Sequence, residues 1–225
     1  MRMKRIITVL CCLFAAVFIA AATVDFTAKD KLYPLLFDSV DYDCTADYEP
    51  RNTSLQKGDF VLYGTYRGEQ MLWRVISEDG TVIQSNYIVD FAPFGKSSDK
   101  NDSDLMKNLG KNFDGITEKI YIPSESELSK LSAAELKKQP TLSAVLRCKT
   151  RFLFLRRNCW YWTSSGISTN SLSVAAVTQS GTFYKSPATD SLMGVCPAVK
   201  LESKDVLVTG GNGTAEQPYV IGGEQ

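Results

Sequence analysis

The sequence predicts an α+β domain of mainly antiparallel sheets, with two short helices and a closing C-terminal β-hairpin. Three observations predict it. Residues 59 to 90 alternate apolar and polar side chains between turn signals, as half-buried strands do. Residues 103 to 140 carry an apolar stripe at helical spacing and a helix-start signature. From residue 172 onward, strand-length apolar stretches follow one another, the last two flanking Gly210-Gly211-Asn212-Gly213.

The first strands are "GDFVLYGTY" and "EQMLWRVI", joined by Arg67-Gly68 as a turn. Asp79-Gly80 then leads into a third strand, giving a meander. In "DSDLMKNLGKNF", Leu105, Leu109 and Phe113 fall on one helix face. A short strand, "KIYI", precedes Pro123. Ser124 with Glu127 is a capping box, so a helix starts there and runs through Leu128 and Leu131. "LSAAELKKQP" extends it as far as Pro140.

From Leu142 the chain reads as basic and β-like. In a strand, Arg147, Lys149 and Arg151 share a face, and Arg156 and Arg157 add to the stripe. Such a patch suits an anionic envelope polymer or a carboxylate-bearing partner. The plainer reading is a solvated strand face. Next, "CWYWTSSG" places Trp160 and Trp162 on one face of a strand and Tyr161 and Thr163 on the other. The small apolar runs "SVAAV" and "GVCPAV" are what core partners of large rings look like. Trp162 is therefore expected in the core and Trp160 mostly buried, with the Ser164-Ser165 loop accepting the indole N–H.

At 225 residues, 44% hydrophobic and 22% charged, the chain fits one globular domain with a small appendage. Its 25 basic and 25 acidic residues make no field that draws nucleic acid, and no such partner is expected. It has no histidine, which excludes Ser-His-Asp and Cys-His catalysis and histidine-ligated zinc.

Arg2, Lys4 and Arg5 precede Ile6 to Val24, an uncharged run of 19 residues, in which Ala20-Ala21-Ala22 offers a cleavage site. Residues 1–24 are thus a signal peptide or, uncleaved, a membrane anchor long enough to span the hydrocarbon core. Basic residues ahead of the run send the remainder outward. Residues 25–55 read as an acidic spacer, 56–202 as the α+β domain, and 203–225 as a hairpin extension.

Beyond the first 24 residues lie Cys44, Cys148, Cys159 and Cys196, with no C-x-x-C pair. No metal or cofactor is expected from them. Three disulfide connectivities exist. The short loop favours Cys148–Cys159, which leaves Cys44–Cys196, and the equal alternative is four small buried thiols.

"MLWRVI", "EKIYIPSESEL", "WYWTSSG", "AAVTQSGT" and "GVCPAVKL" follow one another in an order that resembles a family of exported and surface bacterial domains of unknown function. The tail "GNGTAEQPYVI" is similar to an ending often found after it, and the resemblance covers about residues 56 to 221. "YWTSS" before an A-x-V-x-x-x-G strand is also similar to C-type-lectin-like domains of bacterial surface proteins. That resemblance implies a two-sheet fold with two helices. The chain departs from it at Cys196, where an arginine is usual, and at "TSSG", which replaces an arginine-serine pair. It carries no E-P-N or W-N-D calcium motif, so calcium-dependent sugar binding is not implied. Lectin-like enzymes that oxidise cysteine with a cysteine-held metal have only Cys148, Cys159 and Cys196 as counterparts here, without the paired context.

No residue stands out as catalytic, and binding is favoured over catalysis. The expected function is an exported, non-catalytic binding or adhesion module at a bacterial surface. Its partner would be an anionic polysaccharide or a surface protein. The competing readings are an extracellular carboxylate-dependent hydrolase and a structural appendage of the envelope. Export predicts that protease added to intact cells, with the outer layers permeable to it, digests residues 25 to 225; full protection contradicts this.

Overall fold

The computed structural model describes residues 49–148, 158–166 and 172–221. Residues 1–24, most of the spacer, Cys44, Lys149, Arg151, Arg156 and Arg157 lie outside them. After β1 (Arg51–Ser54), the expected meander forms as β2 (Phe60–Tyr66), β3 (Glu69–Val75) and β4 (Val82–Ser85). Arg67 and Gly68 turn the first hairpin with φ of 52° and 80°, the left-handed pair that matches strand twist. In the second turn, Asp79 accepts from the Ser77 hydroxyl at 2.6 Å and from the Thr81 N–H at 3.1 Å. These bonds hold its carboxyl down at about 2.

β5 (Asp90–Phe91) precedes α1 (Asp104–Asn108), which Ser103 caps and a 3-10 turn (Leu109–Asn112) extends. Leu105 and Leu109 are buried as expected, whereas Phe113 begins β6 (Phe113–Asp114) on the edge of β2. β7 (Ile120–Tyr121) follows, then α2 (Glu125–Leu128), opened by the Ser124–Glu127 capping box. A second capping box, Ser132 with Glu135, starts α3 (Ala133–Leu136), so the segment after Leu131 is a new helix and not a continuation. α4 (Leu142–Arg147) stands where a basic strand was expected. Thr141 caps it by accepting from the Ala144 N–H, and Ala144 and Val145 are its buried face. The period-two spacing of Arg147, Lys149 and Arg151 is therefore not a strand period at Arg147.

The remaining strands are β8 (Tyr161–Gly166), β9 (Ser173–Val177), β10 (Phe183–Pro187), β11 (Gly194–Val195), β12 (Ala198–Lys200), β13 (Asp205–Gly210) and β14 (Tyr219–Ile221). Among the described residues they form two sheets. One has the order β1-β13-β14-β2-β3-β4-β12-β7, with β6 on β2; the other runs β10-β9-β8-β11-β5. All pairings are antiparallel except β14 with β2 and β11 with β8. The protein is α+β, mainly antiparallel, with four short helices among the described residues. The closing hairpin β13–β14 is built into the larger sheet between β1 and β2.

The main core lies where Val61, Trp73, Val75 and Ile83 of one sheet meet Trp162, Val174 and Ala176 of the other. A second core covers the opposite face of β8–β9 with Leu128, Leu131 and Leu136. Both faces of β8 are thereby buried: Trp162 in the main core, Tyr161 in the second, each fully enclosed. Trp162 lies edge-on to Phe94 at 5.7 Å and donates its indole N–H to the Ala92 carbonyl at 2.8 Å. The acceptor is thus just past β5, two strands away in the sheet, and not in the Ser164-Ser165 loop. Trp160 is half-buried, edge-on to the exposed Tyr184 at 5.7 Å.

Cys148 is half-buried at the end of α4, Cys159 is buried with its N–H on the Lys138 carbonyl, and the buried Cys196 thiol donates to the Ser85 carbonyl at 3.3 Å. Burial pushes the Cys196 thiol from 9.0 up to about 11. Because the folded value is the higher one, this contribution is intact below pH 9.0 and is lost as pH rises to about 11. Lys138 shifts downward and works in the opposite direction, so the thiol is isolated by difference. The stability of the wild type minus that of Cys196→Ala, from urea titrations, should fall across that window. A pH-independent difference contradicts the assignment. Trp162→Ala should cost about 3–5 kcal/mol in the same assay. Tyr184→Ala should cost less than about 1 kcal/mol.

Candidate functional site

Where β2 ends and β5 begins, four polar side chains converge at the rim of a pocket. Tyr66, last in β2, is buried and packs on Phe113 with ring centroids 4.7 Å apart. Its hydroxyl donates to Asp90 Oδ2 at 2.8 Å. Asp90, first in β5, takes its own strand's Phe91 N–H on Oδ1 at 2.9 Å. Burial, then the Asp90 hydrogen bond, raises the Tyr66 phenol, against an opposing pull from Arg67. The phenol therefore stays protonated and remains a donor.

Two guanidinium groups complete the cluster. Arg67 Nε donates to the Tyr66 oxygen at 3.3 Å, and its Nη2 lies 3.7 Å from Asp90 Oδ2. Arg147 donates from Nη2 to the Val89 carbonyl at 2.6 Å and reaches Asp90 Oδ1 from Nε at 3.5 Å. Both guanidinium carbons sit 5.6 Å from the centre of the Tyr66 ring, within cation–π range. Two cations thus share one carboxylate. Arg67 is the more open of them, with 43% of its side chain exposed against 28% for Arg147.

Arg67 is also the only non-glycine residue with positive φ among the described residues. A side chain in that conformation costs roughly 1 kcal/mol. The strain is held by the Arg67 N–H, which donates to the Asn112 carbonyl at 2.8 Å. α4 is fixed at both ends: Ser143 hydrogen-bonds to Glu69 at its start, and Arg147 grips the Asp90 corner at its end. The pocket beside this cluster has a volume of about 260 Å³. Leu105, Leu109 and Pro93 make its apolar wall, and Asp104, Asn108 and Asn112 its polar side.

No family model, no curated protein and no solved structure matches the chain. The site stands on its own geometry. Of the five basic residues singled out in the sequence, only Arg147 lies among the described residues, and it points back onto Asp90 instead of outward along a strand. Asp90, Tyr66 and Arg67 were missed. Only Arg67 left a local sign, as an arginine at a turn position that favours asparagine or glycine.

A second, larger groove of about 460 Å³ is lined by Tyr63, Glu118, Glu202 and Asp205. The Tyr63 hydroxyl donates to Glu118 at 2.5 Å, and Ser54 hydrogen-bonds to Asp205. Among the described residues no group of histidine, cysteine, aspartate or glutamate side chains is arranged to hold a metal ion. No helix among them is long and apolar enough to cross a membrane.

If Asp90 holds the two arginines apart and in place, Asp90→Asn should loosen both. The Arg67 and Arg147 Nε–H signals in NMR should then exchange with water at least about fivefold faster than in the wild type. Unchanged exchange rates contradict the clamp. Stability should fall by no more than about 1 kcal/mol, because pairs this exposed contribute little.

Proposed function

We propose that the protein is an exported, non-catalytic binding or adhesion module at a bacterial surface, lectin-like in fold, that holds an acidic unit of an envelope polymer or glycan at the Arg67 pocket. The observation that carries the reading is the pair of guanidiniums on a single carboxylate. Asp90 is shared by both guanidiniums, so the strained Arg67 keeps N–H donors for a ligand at the rim, with Asp104 the second carboxylate in the pocket lining. A carboxylate or phosphate oxygen would dock on Arg67, where a planar fork of N–H donors suits two oxygens at once. Asn108 and Asn112 offer amides for hydroxyls, and Leu105 with Pro93 offers a surface for the apolar face of a sugar ring.

The basic n-region and the apolar run that follows it support export. The two-sheet, mainly antiparallel architecture with few helices supports the lectin-like reading at its coarse level. The hydrolase reading has one observation in its favour, the three carboxylates around the larger groove.

Calorimetry with polygalacturonate, set against a neutral polymer of equal length, tests the proposal. Binding should be confined to the acidic polymer and weaken as salt rises. Arg67→Gly relieves the strained φ, so the variant should be at least as stable as the wild type while binding about tenfold or more weakly. Arg147→Gln should weaken binding as well. A stable Arg67→Gly protein with full affinity overturns the proposal, and release of reducing ends from the polymer favours the hydrolase.

A further inference from the structure

A second polar cluster lies inside the protein, away from the rim pocket. Along β3 and β4, Trp73, Val75 and Ile83 face the main core. Arg74 and Gln84, which are register partners, therefore face the other way, toward the second core. Gln84 is completely buried, yet neither end of its carboxamide has a hydrogen-bond partner. The Arg74 Nε–H lacks one too, although its Nη2 lies 3.6 Å from Glu135. The Tyr161 hydroxyl lies beside Gln84 but gives its proton to the Leu136 carbonyl at 2.9 Å.

Lys138 enters the same region from the extended segment after α3. It is 3% exposed, and its ammonium senses Cys196, Arg74 and Glu135. No carboxylate forms an ion pair with it among the described residues. The charges do not balance: Arg74 and Lys138 face one carboxylate, Glu135, and the Cys196 thiol holds its proton. Nor do the hydrogen bonds balance. Lys138 brings three donors, Gln84 two and Arg74 one. Glu135 aside, the acceptors facing them among the described residues are Gln84 Oε1, which is unpartnered, and the Tyr161 hydroxyl oxygen, fewer than the donors.

We propose that these groups form an internal binding site for a small monovalent inorganic anion of halide size, held by Lys138, Gln84 Nε2 and Arg74 Nε. An acceptor-only ligand fits a donor-rich site better than water, which brings two more protons that need acceptors. Loss of the lysine proton would remove the charge but leave the Gln84 amide and the Arg74 N–H unpartnered. An anion answers all three, and Gln84 Oε1 then turns to the ammonium. The site joins β3 and β4 to the segment that follows α3, so occupancy would stiffen the second core.

The test uses the full chain in chloride-free buffer, with sodium chloride replacing sodium gluconate at constant ionic strength. The unfolding midpoint should rise with chloride and keep rising by a constant increment per decade once the site is saturated. Bromide should reverse the excess line broadening of the chloride-35 NMR signal. Gln84→Leu should weaken chloride binding at least tenfold, and Lys138→Met should abolish it. Should Lys138→Met fail to fold, the wild type and Gln84→Leu decide the matter. Coincident midpoints in the two salts with no excess broadening overturn the site and leave ordered water as the occupant. A chloride response that Gln84→Leu and Lys138→Met both retain overturns it as well, by placing the anion elsewhere.

Discussion

The architecture depends on a doubled crossover between the two sheets. One passage leaves the larger sheet after Ser85 and reaches the smaller one at Asp90. The other runs from Val195 in the smaller sheet to Ala198 in the larger, after the chain has visited β6 and β7 of the larger sheet and β8 to β10 of the smaller in between. The two passages are hydrogen-bonded to each other. Ser85 N–H donates to the Pro197 carbonyl at 2.8 Å, Val89 N–H to the Val195 carbonyl at 2.9 Å, and the Cys196 thiol to the Ser85 carbonyl at 3.3 Å. Proline suits a crossover, where no ladder partner needs its missing N–H. Gly194 is required by close approach, because a Cβ there would sit 2.8 Å from Ile88 and 2.9 Å from the Trp160 carbonyl. Trp162 can fill the space between the sheets because these two strands fix their separation.

Both polar clusters hang on that crossover, at opposite ends. Asp90 is its outer end, where a carboxylate, a phenol and two guanidiniums remain in partial contact with water. Gln84 and Cys196 flank its inner end, where both side chains are fully buried and donors outnumber acceptors. The chemistry differs accordingly. At the rim each ion pair is screened and contributes little on its own, so the arrangement works through geometry and strain. Inside, an unmatched polar group carries its full desolvation penalty, about 1–3 kcal/mol, and the burial of Lys138 requires compensation.

Much of the fold was legible because its signals are local. The Arg67-Gly68 turn, the Ser124–Glu127 box and the closing hairpin each follow from a few adjacent residues, and the burial of Trp162 from small apolar runs within forty residues of it. α4 was not legible, because two basic residues at period two beyond Arg147 outweighed a one-residue signal, the Thr141 cap. The second capping box, Ser132 with Glu135, is as local as the first, but it falls inside a stretch whose composition also suits a continuing helix. The parallel pairing of β14 with β2 depends on residues about 160 positions apart, which no local pattern reports. The site was the least legible feature. Asp90, Tyr66 and Arg147 come from three separate segments, and an aspartate in "IVDF" looks like any strand-end acid. Lys138 in "KKQP" looks like a solvated lysine, and only the packing of the second core shows otherwise.

In the proposed reading the Arg67 corner, not the aromatic pair Trp160 and Tyr184, receives the ligand. Chemical-shift mapping with a short oligogalacturonate tests it most directly, since the arginine Nε–H and tryptophan indole N–H signals are resolved from the amides. Saturable shifts are expected at Arg67, Arg147, Asn108 and Asn112, with the Trp160 indole unmoved. Shifts centred on Trp160 and Tyr184, with the arginine signals unchanged, would contradict it.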